Sequence, residues 1–480
     1  MFVRYVWVLI AVAERLISPE LQRMHICSTA SKTPTWFFMI APVCPARNLC
    51  HTDLTLLLTE LTAAALQTLP MLNPALVSLR LDFCGHLDCE TFNIMSNALP
   101  HLKRIELLGP FLVRPVAWVK FFETHLHLEG FLVTQCPRFD IDCVKSLIKE
   151  CQSLNDLRLK EMKVDETWLQ VIGESNSLKS LDLSSPHTSC SDDALVQMLS
   201  TIGPGLSALN LSSHESITDG FLEDGLGKWT GSLERLSLAV CPELTDKALS
   251  RLFDTWAGGD AEAGGTDSQQ AALTPEQVDG PVRLRNRRRP PPRQKKAGTV
   301  VRQADAPLRP NVPLVAIEMG RNHLLGPRSL LSIMRHSGSR LESLVLNGWK
   351  DVTTESLEAI GNYGHELKKL DVGWCRNVDD FVLAGWVGFR IPVEGSERTT
   401  DGRCLKLNDI RVWGCNRVTG RFPTRVSLKH HRYEEVLIFL SARCRHTGNR
   451  ITDYVNSHGL YSTSRHVARW TCSYVQVCIC

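Results

Sequence analysis

The stretch 76-LVSLRLDFC-84 reads L-x-x-L-x-L with a cysteine at the ninth place, and the phrase returns along the chain. It recurs with its cysteine at Leu128/Phe131/Val133/Cys136, Leu233/Leu236/Leu238/Cys241, Leu367/Leu370/Val372/Cys375 and Leu407/Ile410/Val412/Cys415. Copies without the cysteine start at Leu102, Leu154, Leu178, Leu206, Leu314 and Leu341, which makes eleven in all. From Leu76 the first leucines step by 26, 26, 26, 24, 28 and 27 to Leu233, then by 81 to Leu314, by 27 and 26 to Leu367, and by 40 to Leu407. Steps near 26 are those of leucine-rich repeats, and the two long steps are repeats carrying an insertion. The expected fold is an α/β leucine-rich-repeat solenoid, a horseshoe of about eleven repeats that builds a surface for binding.

Each unit has a physical logic. The L-x-L pair is a short parallel strand with both leucines inward, so the residue between them points out onto the concave face. A helical stretch follows, as in 245-TDKALSRLF-253, where Ala248, Leu249 and Leu252 fall at helical spacing and cover the convex side. Thr245 and Asp246 stand where a helix starts. The same reading fits 141-IDCVKSLIKEC-151, 353-TTESLEAI-360 and 379-DDFVLAGW-386. Cysteine at the ninth place is a small apolar filler for a tight corner. Pro110, Met162, Pro186, His214, Asn322 and Trp349 hold that place elsewhere, a variety no metal-ligand set tolerates.

The chain of 480 residues is 43% hydrophobic and 22% charged with a net charge of +3, enough to build an ample core. Seventeen cysteines, an odd count with many at repeat-core positions, fit a reducing compartment. The apolar run Tyr5–Ala13 is too short to span a bilayer and is followed by Glu14 and Arg15 rather than by a small-residue cleavage site. The sequon Asn210-Leu-Ser212 lies inside a repeat strand and is not read as a glycosylation site.

The expected organisation is a non-repeat leader over 1–50, repeats over 51–257, a disordered insertion over 258–311, repeats over 312–420 and a non-repeat tail over 421–480. Leu54, Leu56 and Leu58 suit a capping half-repeat. The insertion holds 283-RLRNRRRPPPRQKK-296, with Arg283, Arg285, Arg287, Arg288, Arg289, Arg293, Lys295 and Lys296. That basic cluster is a candidate import signal or phosphate contact, with a solvated spacer as the plain alternative.

No catalytic constellation stands out, and neither cofactor nor metal is expected. The string 225-GLGKWTGS-232 lacks the first glycine of a phosphate loop, Leu222 standing in its place. Cys44, Cys50 and His51, and the tail cysteines Cys472, Cys478 and Cys480, lack paired zinc spacing. The outward residues are Arg80, Glu106, Leu132, Arg158, Asp182, Asn210, Ser237, Glu318, Val345, Asp371 and Arg411. Their mixed signs suit a protein partner better than a DNA duplex. Arg80, Glu106, Arg158, Asp182, Asn210, Asp371 and Arg411, with Trp413, form the candidate partner surface. Trp349, Trp374 and Trp413 either anchor a partner or pack the end of the solenoid.

The phrases 72-LNPALVSLRLDFCGHL-87, 104-RIELLGPFLVR-114 with Trp118 and 121-FFETH-125, and 131-FLVTQCPRFD-140 resemble the fungal radiation-sensitive-seven family. So do 344-LVLNGWKD-351, 370-LDVGWCRNVDD-380 and 411-RVWGCNRVTG-420, and the likeness covers roughly residues 50–420. The family comprises leucine-rich-repeat subunits of global-genome nucleotide excision repair. The resemblance implies a nuclear, non-catalytic scaffold that partners a Swi/Snf-type RING ATPase at damaged chromatin, contacting DNA indirectly. It also implies association with elongin C and a cullin in a ubiquitin ligase, and neither a small-molecule ligand nor a membrane. The family's basic N-terminal segment and elongin-binding helix are not recognisable in residues 1–50. Two rival readings are an F-box-type substrate receptor and an extracellular recognition receptor.

Overall fold

The computed structural model describes residues 23–28, 53–57, 63–72, 74–258, 310–387, 403–418, 425–427, 435–439 and 474–479. The chain forms one long, almost wholly parallel sheet backed by helices. Strands β1 (Arg23–Ser28) and β2 (Asp53–Leu57) precede the repeats. Eleven strands follow, one for each copy of the phrase: β3 (Ser78–Asp82), β4 (Arg104–Leu108), β5 (Gly130–Thr134), β6 (Asp156–Lys160), β7 (Ser180–Asp182), β8 (Ala208–Asn210), β9 (Arg235–Ser237), β10 (Ala316–Glu318), β11 (Ser343–Val345), β12 (Lys369–Asp371) and β13 (Asp409–Arg411). β14 (Arg425–Ser427), β15 (Glu435–Phe439) and β16 (Tyr474–Ile479) complete the sheet, in which only the β14–β15 pair is antiparallel among the described strands. Leu54 and Leu56 pair with Leu79 and Leu81, and helix α1 (Ala63–Leu72) follows β2, so this cap carries a helix as well as a strand.

The register explains why the leucines repeat. Leu79, Ile105, Phe131, Leu157, Leu181, Leu209, Leu236, Ile317, Leu344, Leu370 and Ile410 stand side by side across β3–β13 and are buried. Each fully buried side chain of this size adds about 1.5–3 kcal/mol. β9 pairs with β10 through Arg235↔Ala316 in the ordinary register, so the long insertion leaves the sheet unbroken. Asn311 re-enters at the foot of β9, where its amide accepts from Leu233 N (2.9 Å) and donates to Leu233 O (2.8 Å).

The convex side carries α2 (Cys89–Ala98), α3 (Pro115–Thr124), α4 (Ile141–Glu150), α5 (Glu166–Gly173), α6 (Asp192–Ile202), α7 (Asp246–Trp256), α8 (Pro327–Ser337), α9 (Thr354–Tyr363) and α10 (Asp380–Val387). Caps set their starts: Asp88, Asp140, Asp165, Ser191, Thr245 and Thr353 each accept from a first-turn backbone N–H. Ala248, Leu249 and Leu252 of α7 are buried, as their spacing requires. The repeat after β8 departs from the rule. Its helix is a wide π-type turn over Phe221–Leu226 that runs into Gly227–Trp229, and the glycine-rich 225-GLGKWTGS-232 lies there, with Lys228 paired to Asp224 at 2.6 Å.

The ninth position is more than a filler. His214, Cys241, Asn322, Trp349, Cys375 and Cys415 lie within hydrogen-bonding reach of Leu183, Leu211, Leu238, Met319, Leu346 and Val372 carbonyl oxygens, each one repeat upstream. The residue types differ, yet each can donate a hydrogen bond. The device begins where strands shorten. β3–β6 have five residues and β7–β13 have three, and Leu183, just beyond β7, is the first carbonyl so served. Burial pushes the Cys241 and Cys415 thiols up to about 11 and Cys375 up to about 12, so these thiols stay protonated donors.

Candidate functional site

Alternation along each strand turns its first, middle and following residues outward. The middle residues Arg80, Glu106, Leu132, Arg158, Asp182, Asn210, Ser237, Glu318, Val345, Asp371 and Arg411 stand in one registered row. Seven of the eight predicted partner-surface residues therefore share a single line across the concave face. Trp413 lies two residues beyond Arg411, on the same side of the chain but at the turn edge.

The row is laced by charge pairs that continue from repeat to repeat. Arg80 bonds Asp82 (3.0 Å) and Glu106 (3.4 Å). Arg104 reaches Asp156 (2.7 Å), two repeats away, by passing over Gly130. A Cβ on Gly130 would lie 2.9 Å from the Arg104 Cζ, so only glycine leaves this path open. Arg158 also holds Asp156 (2.8 Å), and Lys160 pairs with Asp182 (2.9 Å). Asn210 Nδ2 donates to Asp182 (3.1 Å), Ser212 and Ser237 hydroxyls meet at 2.7 Å, and Ser237 donates to Glu318 (3.1 Å). Asn210 is thus part of the ladder. At the far end Arg411 pairs with Asp409 (3.4 Å), and Asp371 accepts from Gly373 N (3.0 Å).

Burial opposes ionisation of Asp156, but the hydrogen bonds and charges of Arg158, with Arg104, outweigh it and hold the carboxyl below the ordinary range. Arg80 is raised, chiefly by its hydrogen bond to Asp82. A shallow hollow of about 270 Å³ lies in mid-face, with Arg158, Asp182, Asn210, Arg235 and Glu318 on its walls. Neighbouring charges cancel in pairs, so this face presents hydrogen-bonding groups rather than a field of one sign. Arg104, Asp156 and Lys160 were absent from the predicted set. They occupy outward positions on either side of the middle residue, and the same alternation locates them.

The three tryptophans divide. Trp349 is fully buried and bonds Met319 O, whereas Trp374 and Trp413 are exposed by 67% and 44%. The basic cluster Arg283, Arg285, Arg287, Arg288, Arg289, Arg293, Lys295 and Lys296 lies outside the described residues, as do Tyr5–Ala13 and the cysteines Cys44, Cys50, Cys472 and Cys480. Among the described residues no group of three His, Cys, Asp or Glu side chains could hold a metal ion, and no helix is long and apolar enough to cross a membrane.

No protein-family model matches the chain. It is 24% identical over 363 residues to the DNA repair protein rhp7 of Schizosaccharomyces pombe, covering 75% of this chain and 53% of the relative. It is 26% identical over 373 residues to the DNA repair protein RAD7 of Saccharomyces cerevisiae, covering 75% and 54%. The chain is homologous to the Rad7/Rhp7 DNA repair proteins. It spans about half the length of these curated relatives. In a crystal structure of a yeast Rad7 and Elc1 complex, the matching chain superposes with a TM-score of 0.58 at 21% identity, covering 87% of this chain and 89% of that one. That likeness shows the fold: the repeat solenoid seen here is that of the Rad7 structure.

Proposed function

We propose that this chain is a non-catalytic, protein-binding scaffold of nucleotide excision repair, working in the nucleus with a Swi/Snf-type RING ATPase at damaged chromatin. The homology to Rad7 and Rhp7 over three-quarters of the chain is the observation that carries the reading. The concave face supports it: a ladder of paired charges suits a protein surface that supplies matching hydrogen bonds, and suits a continuous phosphate backbone poorly. The likeness to Rad7 in its complex with Elc1 favours elongin C, and with it a cullin, as further partners. The proposed organisation keeps two repeat blocks, 51–257 and 312–420, with the intervening basic cluster serving import or phosphate contact. Ultraviolet survival tests the reading. Cells lacking the chain should lose survival and recover it with the intact chain; unchanged survival on its loss would overturn the repair role.

A further inference from the structure

The residue just before the ninth position has a positive φ in every one of the eleven repeats: Phe83, Gly109, Gln135, Glu161, Ser185, Ser213, Val240, Arg321, Gly348, Trp374 and Gly414. This left-handed column forms the turn rim of the solenoid. A non-glycine residue there carries a backbone cost that glycine avoids. Trp374 accepts that cost at φ 63 while 67% exposed, and its column neighbours on both sides are glycines. Burial cannot account for its presence. Its ring lies over Gly414, where a Cβ would sit 2.6 Å from Cδ2 and Cε3 of the indole, and its backbone N–H donates to Trp413 O at 2.5 Å.

The cations of this rim are not tied into ion pairs as those of the concave face are. Arg321, Lys350, Arg376 and Arg417 are exposed on consecutive turns after β10–β13, and none forms an ion pair among the described residues. Of the rim acids, Asp351 is exposed beside Lys350, while Asp379 caps α10 by accepting from Val382 N (2.9 Å). The glycines of these turns lie against the rim's own residues, Gly414 under the Trp374 ring, Gly348 against Arg321 and Gly373 against Trp413. Three strand spacings span about 14 Å, the length of roughly four extended residues.

We propose that this rim, built on Trp374 and Trp413, is a docking site for a short, extended, acidic segment of a protein partner. The inference rests on the scaffold reading above and names the chemistry of what the scaffold holds. Two exposed indoles supply apolar anchors, and the cations match carboxylates. A single-stranded nucleic acid would also use aromatic and basic groups, but it draws its affinity from many neutralised phosphates, and this rim offers only four cations free of ion pairs among the described residues.

The test uses the full chain and a fluorescein-labelled peptide of repeated Glu-Asp-Phe-Glu-Asp-Leu, followed by anisotropy at low salt, with labelled oligothymidylate as the competitor class. The peptide should bind, and Trp374→Gly, Trp413→Ala and the double change Lys350→Glu/Arg376→Glu should each weaken it at least about tenfold. Trp374→Gly installs the residue its column neighbours already use, so thermal unfolding should show a fold at least as stable. Failure of the peptide to bind, binding equal in the variants, or oligothymidylate bound through Trp374 in the peptide's place would each overturn the proposal. If the peptide fails while the intact chain still recovers a nuclear ATPase, only the docking site falls; if the ATPase is not recovered, the scaffold reading falls with it.

Discussion

Nε2 of His214 stands 2.9 Å from the carbonyl oxygen of Leu183, one repeat upstream, and both groups are sealed from water. This contact opens a series of six that ties each later repeat to the one before it at the turn after its strand. A lost donor would leave a buried carbonyl unsatisfied. His214→Leu should therefore cost about 1–3 kcal/mol, while His214→Asn, the type that Asn322 supplies two repeats on, should recover part of it. Thermal or denaturant unfolding of the two variants checks the order; equal loss in both would deny the donor role.

Three buried histidines make stability depend on pH. Burial lowers His125, His214 and His336 below the ordinary value of 6.5. Above that value both the folded and unfolded forms are neutral, and the full stability is present. As pH falls through 6.5 the unfolded chain takes up protons that the folded chain refuses, so stability declines toward the lowered native values. The slope is at most about 1.4 kcal/mol per pH unit for each histidine. Denaturant midpoints at pH 7.5, 6.5 and 5.5 should fall in that order, and replacing His214 with asparagine should flatten the decline.

The left-handed column predicts opposite signs for two substitutions. Val240 holds φ 58 with a β-branched side chain, so Val240→Gly should raise stability by about 1 kcal/mol. Gly414→Val should lower it by more, because a Cβ there meets the Trp374 ring at 2.6 Å and the backbone is already left-handed at φ 69. Melting temperatures that move in the same direction would contradict the account.

The bridge across Gly130 is separable from the fold. Gly130→Ala should displace the flexible end of Arg104 from Asp156 at a cost of about 1 kcal/mol, since the arginine is part-exposed and Arg158 still holds the carboxylate. Asp156→Ala should cost more, about 1–3 kcal/mol, because Arg104 and Arg158 both lose their shared carboxylate. Unfolding free energies of the two variants, and of the pair together, measure how far the ladder couples.

Leu79 and Leu81 announce β3 because strand side chains alternate, and the same logic placed all eleven strands and their middle outward residues in register. Thr245 and Ala248 announce α7 because a cap and a helical face leave local signals. The donor role of His214, Asn322 and Trp349 was not legible, since these side chains share neither size nor charge, only an N–H that matters once a carbonyl from another repeat lies opposite. The division between Trp349 and Trp374 was hidden for a related reason. Their phrases NGWKD and VGWCRN look alike, yet one indole stands at the ninth, inward place and the other at the eighth, on the rim. Arg104 and Asp156 sit 52 residues apart, and nothing local to either names the other.

The most direct measurement is affinity purification of the tagged chain from nuclei, before and after ultraviolet light, with mass spectrometry of the proteins recovered. The scaffold account predicts a Swi/Snf-type RING ATPase in both samples, with elongin C and a cullin beside it. Recovery of a Skp-type adaptor with a different cullin, and no ATPase, would contradict it and place the chain among F-box substrate receptors.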